Sequence, residues 1–273
     1  MKSSGAIRLA LASISAALAL LAAVPAQAQQ TALKVGTFGG PFEQITEAAA
    51  KAGKRYGLDL KPVIFSNSVL PNEALVGGEL DANAYQHVVF LNAEVRRRGF
   101  KIVRATDIYT VPLAAYSLKY KSLADLPKKA KVAIPSDEAN QGRALLALQD
   151  HGLIKLKSGI DLNTHNPSLL DIAENPKSLQ FLELAVPAVP KSLPDVDAAL
   201  VNANVAHQQA KLTLKDAIAV ENPSTTKRYT QLLVIREADQ NKPWVEALVK
   251  SYRSDEVRQV IQTEFKDVMT PAF

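Results

Sequence analysis

Arg143 is the residue whose type and position carry the most chemical information in this chain. The segment from Pro135 to Arg143 leaves a predicted strand and enters a predicted helix, and it also contains Asn140. Free N–H groups at a helix start attract anions, and a planar guanidinium matches a carboxylate with two parallel hydrogen bonds. We therefore predict that Arg143 clamps a ligand carboxylate and that Asn140 contributes to the same site. In the alternative, Arg143 points to solvent or pairs with Asp137 or Glu138.

Polar side chains also follow two other predicted strands. Tyr85 and His87 come at the end of one strand, where an aromatic ring and a neutral imidazole can pack on an apolar group and make one hydrogen bond. Alternatively, Tyr85 belongs to the core and His87 caps the next helix. Asn202 and Asn204 end the corresponding strand of the other half, and each of their amides offers donors and an acceptor to a ligand. Alternatively, the two residues serve a loop and a helix cap. Taken together, these residues favour a small zwitterion as ligand.

The elements that must position these residues alternate between strands and helices. The predicted strands cover residues 33–38, 61–65, 81–85, 101–109, 131–135, 179–184, 197–202, 216–220 and 232–235. Amphipathic helical segments lie between many of them, and a long helix over 244–265 ends the chain with a possible break near Ser254. This alternation predicts an α/β fold whose largely parallel sheets are covered by helices on both faces.

Two polar strand ends in different halves of the chain indicate two lobes that face a shared cleft. Ligands in open α/β sheets bind outside the carboxyl ends of the strands. We place the connections between the lobes at residues 110–117 and 221–229. Lobe 1 then comprises residues 29–112 and 226–273, and lobe 2, residues 113–225, is inserted into it.

The first 28 residues have the pattern of a secretory signal peptide. Lys2 and Arg8 precede the apolar run Leu9–Val24, and Ala26-Gln27-Ala28 is an A-x-A cleavage signal. An uncleaved N-terminal anchor is the alternative. Two positive charges of the formal net charge of +5 lie in this leader and the others are dispersed, which argues against nucleic acid as a partner. We predict an exported soluble protein.

Signatures of enzymes are sparse in the sequence. None of the 273 residues is a cysteine, which removes thiolate zinc sites, iron–sulfur clusters and cysteine nucleophiles. The chain has no G-x-S-x-G, H-E-x-x-H or glycine-rich phosphate-binding motif, and its four histidines are too dispersed to form a local metal pair. We predict that the protein is not an enzyme and uses no cofactor or metal.

Several runs of residues, in one order along the chain, resemble the methionine-binding substrate-binding proteins of ABC importers, the MetQ/NlpA lipoprotein family. The runs are 69–75, 81–83 with 86–87, 120–123, 126–127, 132–135, 142–145, 172–177, 195–199, 202–204 and 271–273. They span essentially the whole chain after the leader.

The resemblance implies a two-lobed periplasmic-binding-protein fold of type II. Such a protein closes over an amino acid and delivers it to a membrane permease with its ATPase. By the family pattern, Arg143 clamps the α-carboxylate, Asn202 or Asn204 binds the polar end, and Tyr85 and His87 line the side-chain pocket. Methionine or a closely related amino acid is the expected ligand. A monomer is expected, since nothing in the sequence requires a dimer.

Four features depart from the family pattern. The lipobox cysteine is absent, which indicates a freely periplasmic protein without a lipid anchor. Ala84 stands in place of a pocket aromatic residue, residues 88–90 replace a stretch with proline and tyrosine, and Gln231 stands in place of a ligand-binding asparagine. We include Gln231 among the predicted ligand-binding residues.

The changes at Ala84 and Gln231 can alter the shape of the ligand. Another amino acid, a short peptide or an organosulfur compound is therefore the alternative ligand for the same transport role. A periplasmic hydrolase and a surface interaction protein with a vestigial cleft are the alternatives from other classes.

Overall fold

A computed structural model describes residues 30–273, which fold as helices packed against two mixed β-sheets, with a separate two-stranded antiparallel sheet formed by residues 155–156 and 172–174. The strands are β1 (Thr31–Phe38), β2 (Leu58–Phe65), β3 (Ala82–His87), β4 (Ile102–Thr110), β5 (Leu113–Tyr116), β6 (Lys131–Pro135), β7 (Lys155–Leu156), β8 (Ile172–Glu174), β9 (Gln180–Leu184), β10 (Ala198–Asn202), β11 (Ala219–Val220), β12 (Gln231–Arg236) and β13 (Thr270–Pro271). The helices are α1 (Pro41–Gly53), α2 (Leu70–Val76), α3 (Val88–Arg98), α4 (Glu138–Asp150), α5 (Ala203–Ala210), α6 (Pro223–Arg228), α7 (Pro243–Tyr252) and α8 (Asp255–Glu264). The predicted signal peptide, residues 1–28, lies outside the described residues.

The first sheet has the strand order β13-β4-β12-β3-β1-β2. Strand β1 runs parallel to β2 and β3, whereas β12 runs antiparallel to β3 and β4. Because β12 is antiparallel to β3, its first residue, Gln231, lies beside His87, the last residue of β3. Two predicted site residues from distant parts of the chain therefore meet at one edge of this sheet.

The second sheet has the strand order β11-β5-β10-β6-β9. Strand β6 is parallel to β9 and β10, while β5 is antiparallel to β10 and β11. Its strands all come from residues 113–220, and those of the first sheet come from residues 31–110 and 231–271. The lobe limits stay a prediction: the limit after residue 112 falls between the two sheets, and the limit after residue 225 falls inside α6.

Helices cover both faces of each sheet, as the alternating pattern predicts. In the first sheet, Val35 and Leu233 pack in a core with α1, α7 and α8, while Leu232 and Val234 pack on the opposite side with α2 and α3. In the second sheet, β6 and α4 share one core, and β10 also packs towards a second core that includes Val189. Within residues 30–273 no helix has both the length and the apolar character needed to cross a bilayer.

Local sequence signals set the helix ends next to the site. Helix α1 begins with Pro41 at its first turn, after Gly40, whose positive φ of 71° is readily available to glycine. The Asp137 side chain caps α4 by accepting from the Asn140 N–H at 2.9 Å. The predicted break near Ser254 is present, since Ser254 caps α8 after α7 has ended at Tyr252.

The structure differs from the sequence prediction in several strand assignments, and the short strands β7, β8 and β13 were not predicted at all. Residues 113–116, which we assigned to a connection between lobes, form β5 and are fully buried. A short continuous apolar run has no alternation, so its pattern alone does not distinguish a buried strand from other buried segments. Of the predicted strand 216–220 only residues 219–220 are extended, because Asp216 ends a capped turn with Thr213. Both sheets also contain antiparallel pairs, whereas we expected largely parallel sheets.

Candidate functional site

A cleft with a volume of about 950 Å³ lies where the carboxyl ends of the parallel strands of both sheets meet. Among its lining residues are Phe38, Tyr85, Gln86, His87, Phe90 and Gln231 from the first sheet and its helices, and Asp137, Asn140, Pro187, Asn202, Asn204 and Gln208 from the second. This is the position in which open α/β sheets bind their ligands. Six of the seven predicted site residues line this cleft, and Arg143 does not.

His87 both caps a helix and lines the cleft, so the two alternatives for this residue are compatible. Its Nδ1 accepts a hydrogen bond from the Phe90 N–H at 3.1 Å at the start of α3, and its Nε2 lies 3.1 Å from Asn140 Oδ1. Since Nδ1 accepts, Nε2 carries the proton and donates to Asn140. Burial and then the charge of Arg143 lower the pKa of His87 to about 3, so the imidazole is neutral at physiological pH.

Tyr85 belongs to an aromatic wall of the cleft. Its ring lies 4.9 Å from that of Phe38 and 6.2 Å from that of Phe90, measured between centroids. The Tyr85 hydroxyl donates to the Ser68 carbonyl at 2.9 Å, and burial raises the pKa of Tyr85 well above its ordinary value. The wall offers apolar faces to a ligand side chain, and the buried phenol is a fixed, neutral group.

Asn140 is oriented by Asp137 in the first turn of α4. Its Nδ2 donates to both oxygens of the Asp137 carboxylate, at 3.0 and 3.1 Å, which leaves its Oδ1 for His87. Burial raises the pKa of Asp137, whereas its hydrogen bonds from Asn140 lower it. The resulting chain from Asp137 through Asn140 to His87 fixes every polar atom of these three side chains.

Two amide oxygens at the cleft are buried and unpaired. Asn202 Oδ1 and Gln231 Oε1 have no hydrogen-bond partner within the described part of the chain, although both residues are at least 94% buried. An unpaired buried acceptor costs about 1–3 kcal/mol. A ligand that brings an N–H donor to these oxygens recovers that free energy. Asn204 lies close by in sequence, in the first turn of α5, and is also buried.

Arg143 is held by Glu221, a partner that the sequence analysis did not identify. The Arg143 side chain is fully buried; Nε donates to Glu221 Oε2 at 2.8 Å and Nη2 donates to Glu221 Oε1 and to the Val111 carbonyl. Its guanidinium carbon lies 4.3 Å from the centre of the Tyr229 ring. The alternative that Arg143 is exposed or paired with Asp137 or Glu138 is therefore wrong.

The geometry limits what Arg143 can offer to a ligand. The Nε and Nη2 edge, which would form the predicted bidentate clamp, is occupied by Glu221. The remaining nitrogen, Nη1, is buried and has no hydrogen-bond partner among residues 30–273. A ligand carboxylate reaches Nη1 only after the side chains that cover it have shifted.

Beneath the cleft lies an amide network that sequence reasoning missed. Asn72 Nδ2 donates to Gln86 Oε1 at 3.0 Å, and Asn72 Oδ1 accepts from both Asn83 and Gln86, at 2.9 and 2.6 Å. Gln86 also donates to Asn83 Oδ1 at 2.9 Å. Buried amides satisfied in this way hold α2 against the end of β3. A recognisable signal was present, since all three residues lie in runs that resemble the family.

Two of the departures from the family pattern have clear positions. Ala84 is 4% exposed, packs in the core of the first sheet and is absent from the cleft lining, so it does not by itself widen the cleft. Phe90, the last residue of the stretch 88–90, lines the cleft beside Tyr85. Its ring supplies a part of the aromatic wall.

No group of three or more histidine, cysteine, aspartate or glutamate side chains suited to a metal ion occurs in the portion of the chain that the structure describes. The cleft lining presents amides, one neutral imidazole and aromatic faces, together with the charged side chains of Glu94, Arg97, Asp137, Glu138 and Lys191. Such a set can bind a small polar ligand by hydrogen bonds and apolar contact.

Residues 33–273 match the family model of the NlpA lipoproteins. The chain belongs to the NlpA lipoprotein family. Among curated relatives, the D-methionine-binding lipoprotein MetQ of Escherichia coli (strain K12) is 42% identical over 236 residues, which are 85% of this chain and 85% of that protein.

Solved structures confirm the fold class of this NlpA-family chain. A nutrient binding protein from Burkholderia cenocepacia bound to methionine is 45% identical, with a TM-score of 0.85 over 88% of this chain and 100% of the other. An ABC transporter, periplasmic substrate-binding protein from Coxiella burnetii is 38% identical, with a TM-score of 0.81 over 88% and 100% of the two chains. The predicted family and the α/β, two-lobed fold of periplasmic binding proteins are thereby confirmed.

Proposed function

We propose that this chain is the solute-binding protein of an ABC importer, which binds methionine or a closely related amino acid in the periplasm and delivers it to a membrane permease with its ATPase. The observation that carries the proposal is the cleft at the strand ends, with its aromatic wall and unpaired amide oxygens. The 45% identity with a nutrient binding protein bound to methionine supports the same ligand class.

The cleft has a separate group for each part of an amino acid. Asn202 Oδ1 and Gln231 Oε1 accept from the ligand ammonium, with Asn204 beside them. Nη1 of Arg143, which lies behind the cleft lining, donates to the carboxylate once the side chains that cover it have shifted. The rings of Tyr85 and its aromatic neighbours contact the thioether, because sulfur packs favourably at the edge of aromatic rings. His87 and Asn140 close the polar end of the cleft.

We further propose that the protein binds without catalysis and uses no cofactor, since its relatives are binding proteins of transporters. The protein is a monomer. It is also free in the periplasm after the signal peptide is removed, because the chain has no cysteine that could carry a lipid. Size-exclusion chromatography with light scattering tests the monomer. Detergent-phase partitioning of protein from cells tests the free form: recovery in the detergent phase would contradict it.

The experiment that tests the ligand is native mass spectrometry of protein purified from cells, followed by identification of the mass released on denaturation. A cleft ligand survives purification when its escape requires opening. Released methionine is the expected result, and a different released amino acid, peptide or organosulfur compound selects the alternative ligand. Protein that is empty is then titrated by calorimetry with L-methionine and D-methionine. A protein that binds neither, nor any other amino acid, contradicts the proposed function.

A further inference from the structure

The hydrogen bonds of Arg143 leave only one nitrogen free. A guanidinium has five N–H donors, of which Nε has one and each Nη has two. Here Nε and one N–H of Nη2 bind Glu221, and the other N–H of Nη2 binds the Val111 carbonyl at 2.7 Å. The two donors that remain both belong to Nη1, which is buried and has no partner among the described residues. While Glu221 keeps its place, Arg143 meets a carboxylate through Nη1 alone.

Glu221 is itself fixed from several sides. Besides Arg143, it accepts from the Leu113 N–H at 3.0 Å and from the Thr226 hydroxyl at 2.8 Å. Leu113 follows the first chain connection between the two sheets, and Thr226 lies in the second. The position of Glu221, and with it the orientation of Arg143, therefore depends on both connections and not on a ligand.

The contact between Arg143 and Glu221 also changes the charge that a ligand meets. The two opposite charges are adjacent and fully buried, so Glu221 offsets part of the charge of Arg143. The part that remains still lowers the pKa of His87. Of the carboxylates that line the cleft, Glu94 and Glu138 are paired with arginines of α3, and Asp137 is half-buried and bound by Asn140. Two cations also line it: Arg97 is the partner of Glu94, and Lys191 is exposed to solvent. Among the described residues, Asn202 Oδ1 and Gln231 Oε1 are the buried amide acceptors of the cleft without a partner, so the polar end of the cleft favours a ligand with an ammonium group over a bare anion.

We propose that Glu221 is a positioning residue that sets the charge class of the ligand. It restricts Arg143 to a contact through Nη1 and balances its charge, so that the cleft prefers a zwitterionic amino acid to a carboxylate without an amino group. This inference rests on the proposed function, because it assumes that an amino acid occupies the cleft.

The test compares methionine with 4-(methylthio)butanoate, which lacks only the amino group, by titration calorimetry on the mature protein and on Glu221→Gln. Wild-type protein is expected to prefer methionine. In Glu221→Gln the ratio of the two affinities falls by about tenfold or more, because one negative charge is lost at an effective dielectric constant of about 20. If Glu221 has only a structural role, Glu221→Gln lowers the affinity for both ligands by the same factor. An unchanged ratio of the two affinities therefore overturns the inference.

Two control variants separate charge from stability. Asp239→Asn removes another buried carboxylate, which pairs with Arg236 and Lys242 away from the cleft, and it leaves the ratio unchanged. Thr226→Val removes one hydrogen bond to Glu221 but leaves the charge of Glu221 in place. The affinities for the two ligands therefore fall by a similar factor, and their ratio is kept. A shift of the ratio in Asp239→Asn as large as that in Glu221→Gln would overturn the inference.

A structure of the wild-type protein with methionine provides a test that does not depend on the folding of Glu221→Gln. The expected complex keeps Glu221 on Nε and Nη2, with the ligand carboxylate at Nη1. A carboxylate bound at Nε and Nη2, with Glu221 displaced, overturns the inference and leaves the proposed function intact. Wild-type protein that binds neither compound contradicts the proposed function and the inference together.

Discussion

His87 Nε2 and Asn140 Oδ1 lie 3.1 Å apart, although the two residues are separated by 53 positions in the chain. His87 caps α3 and Asn140 lies in the first turn of α4. This hydrogen bond therefore joins the starts of two helices that pack against different sheets. The direction of this hydrogen bond is fixed by the neighbouring bonds. His87 Nδ1 accepts from the Phe90 N–H, so Nε2 is the donor, and Asn140 Nδ2 donates to Asp137, so Oδ1 is the acceptor. A proton added to His87 Nδ1 would face the Phe90 N–H, and the cap would be lost.

The first prediction is a loss of stability on acidification that depends on His87. Above pH 6.5 the imidazole is neutral in the folded and unfolded chains, whereas between about pH 6.5 and 3 only the unfolded chain binds the proton. The free energy of unfolding therefore falls by about 1.4 kcal/mol per pH unit across that window. Urea unfolding at pH 7, 5.5 and 4.5 measures it.

His87→Asn is the matched variant for this measurement, because asparagine can still cap α3 but does not titrate. The stability difference between wild type and His87→Asn shifts in favour of the variant as the pH falls. His151→Asn, at a surface position outside the cleft lining, serves as the control for the loss of an imidazole as such. Parallel curves for wild type and His87→Asn would show that His87 does not control the acid sensitivity.

Local spacing made part of this site predictable. Tyr85, His87 and Asn202 lie at the carboxyl ends of their strands, and the carboxyl ends of parallel strands meet at one edge of a sheet. Gln231 was predicted from the family resemblance, and in the structure it lies beside His87 because its strand pairs antiparallel with β3. The α/β fold followed from the alternation of apolar strands and amphipathic helices, together with the family resemblance.

The partner of Arg143 was not predictable in the same way. Glu221 is 78 residues away in the chain, and its approach to Arg143 depends on how the two connections between the sheets pack together. A sequence pattern of period 2 or 3.6 carries no information on such a contact. Similarly, Ala84 was expected to alter the cleft, but its side chain packs in the core.

The second prediction separates ligand-binding amides from structural ones. Gln231 Oε1 is buried and unpaired, so Gln231→Leu removes an unsatisfied acceptor and leaves the free energy of unfolding unchanged or higher, while methionine affinity falls about tenfold or more. Gln86→Leu instead breaks bonds to Asn72 and Asn83 and lowers stability by about 1–3 kcal/mol. Chemical unfolding and calorimetry on both variants give the two readouts. If Gln231→Leu binds methionine like the wild type, Gln231 is not a ligand-binding residue.

The third prediction concerns the energetic coupling of Arg143 and Glu221. Arg143→Met leaves Glu221 as a buried, unpaired charge and destabilises the protein by about 3–5 kcal/mol. The double variant Arg143→Met with Glu221→Leu loses less stability than this single variant, because the unpaired charge is gone. Both variants lose methionine binding. If the loss of unfolding free energy in the double variant equals the sum of the losses in Arg143→Met and Glu221→Leu, the two residues are not coupled in the folded state.

The last prediction concerns the rate at which the ligand leaves. Gln208 Nε2 of α5 donates to the Gly39 carbonyl at 2.9 Å, across 169 residues, and thereby bridges the two sides of the cleft. Gly40 permits this approach, since a Cβ at that position would lie 3.2 Å from Gln208 Cγ. Opening of the cleft breaks the bond, which contributes about 0.5–1.5 kcal/mol, so Gln208→Ala releases methionine roughly 2- to 10-fold faster.

A chase of bound radiolabelled methionine with excess unlabelled methionine measures this rate. Gly40→Ala pushes the Gln208 side chain away and produces a similar acceleration by a second route. Gln259→Ala, at an exposed position of α8 outside the cleft lining, releases the ligand at the wild-type rate. Because the bond acts on opening, the association rate changes less than the dissociation rate in Gln208→Ala. Equal dissociation rates for Gln208→Ala and Gln259→Ala would mean that release does not require this bond to break.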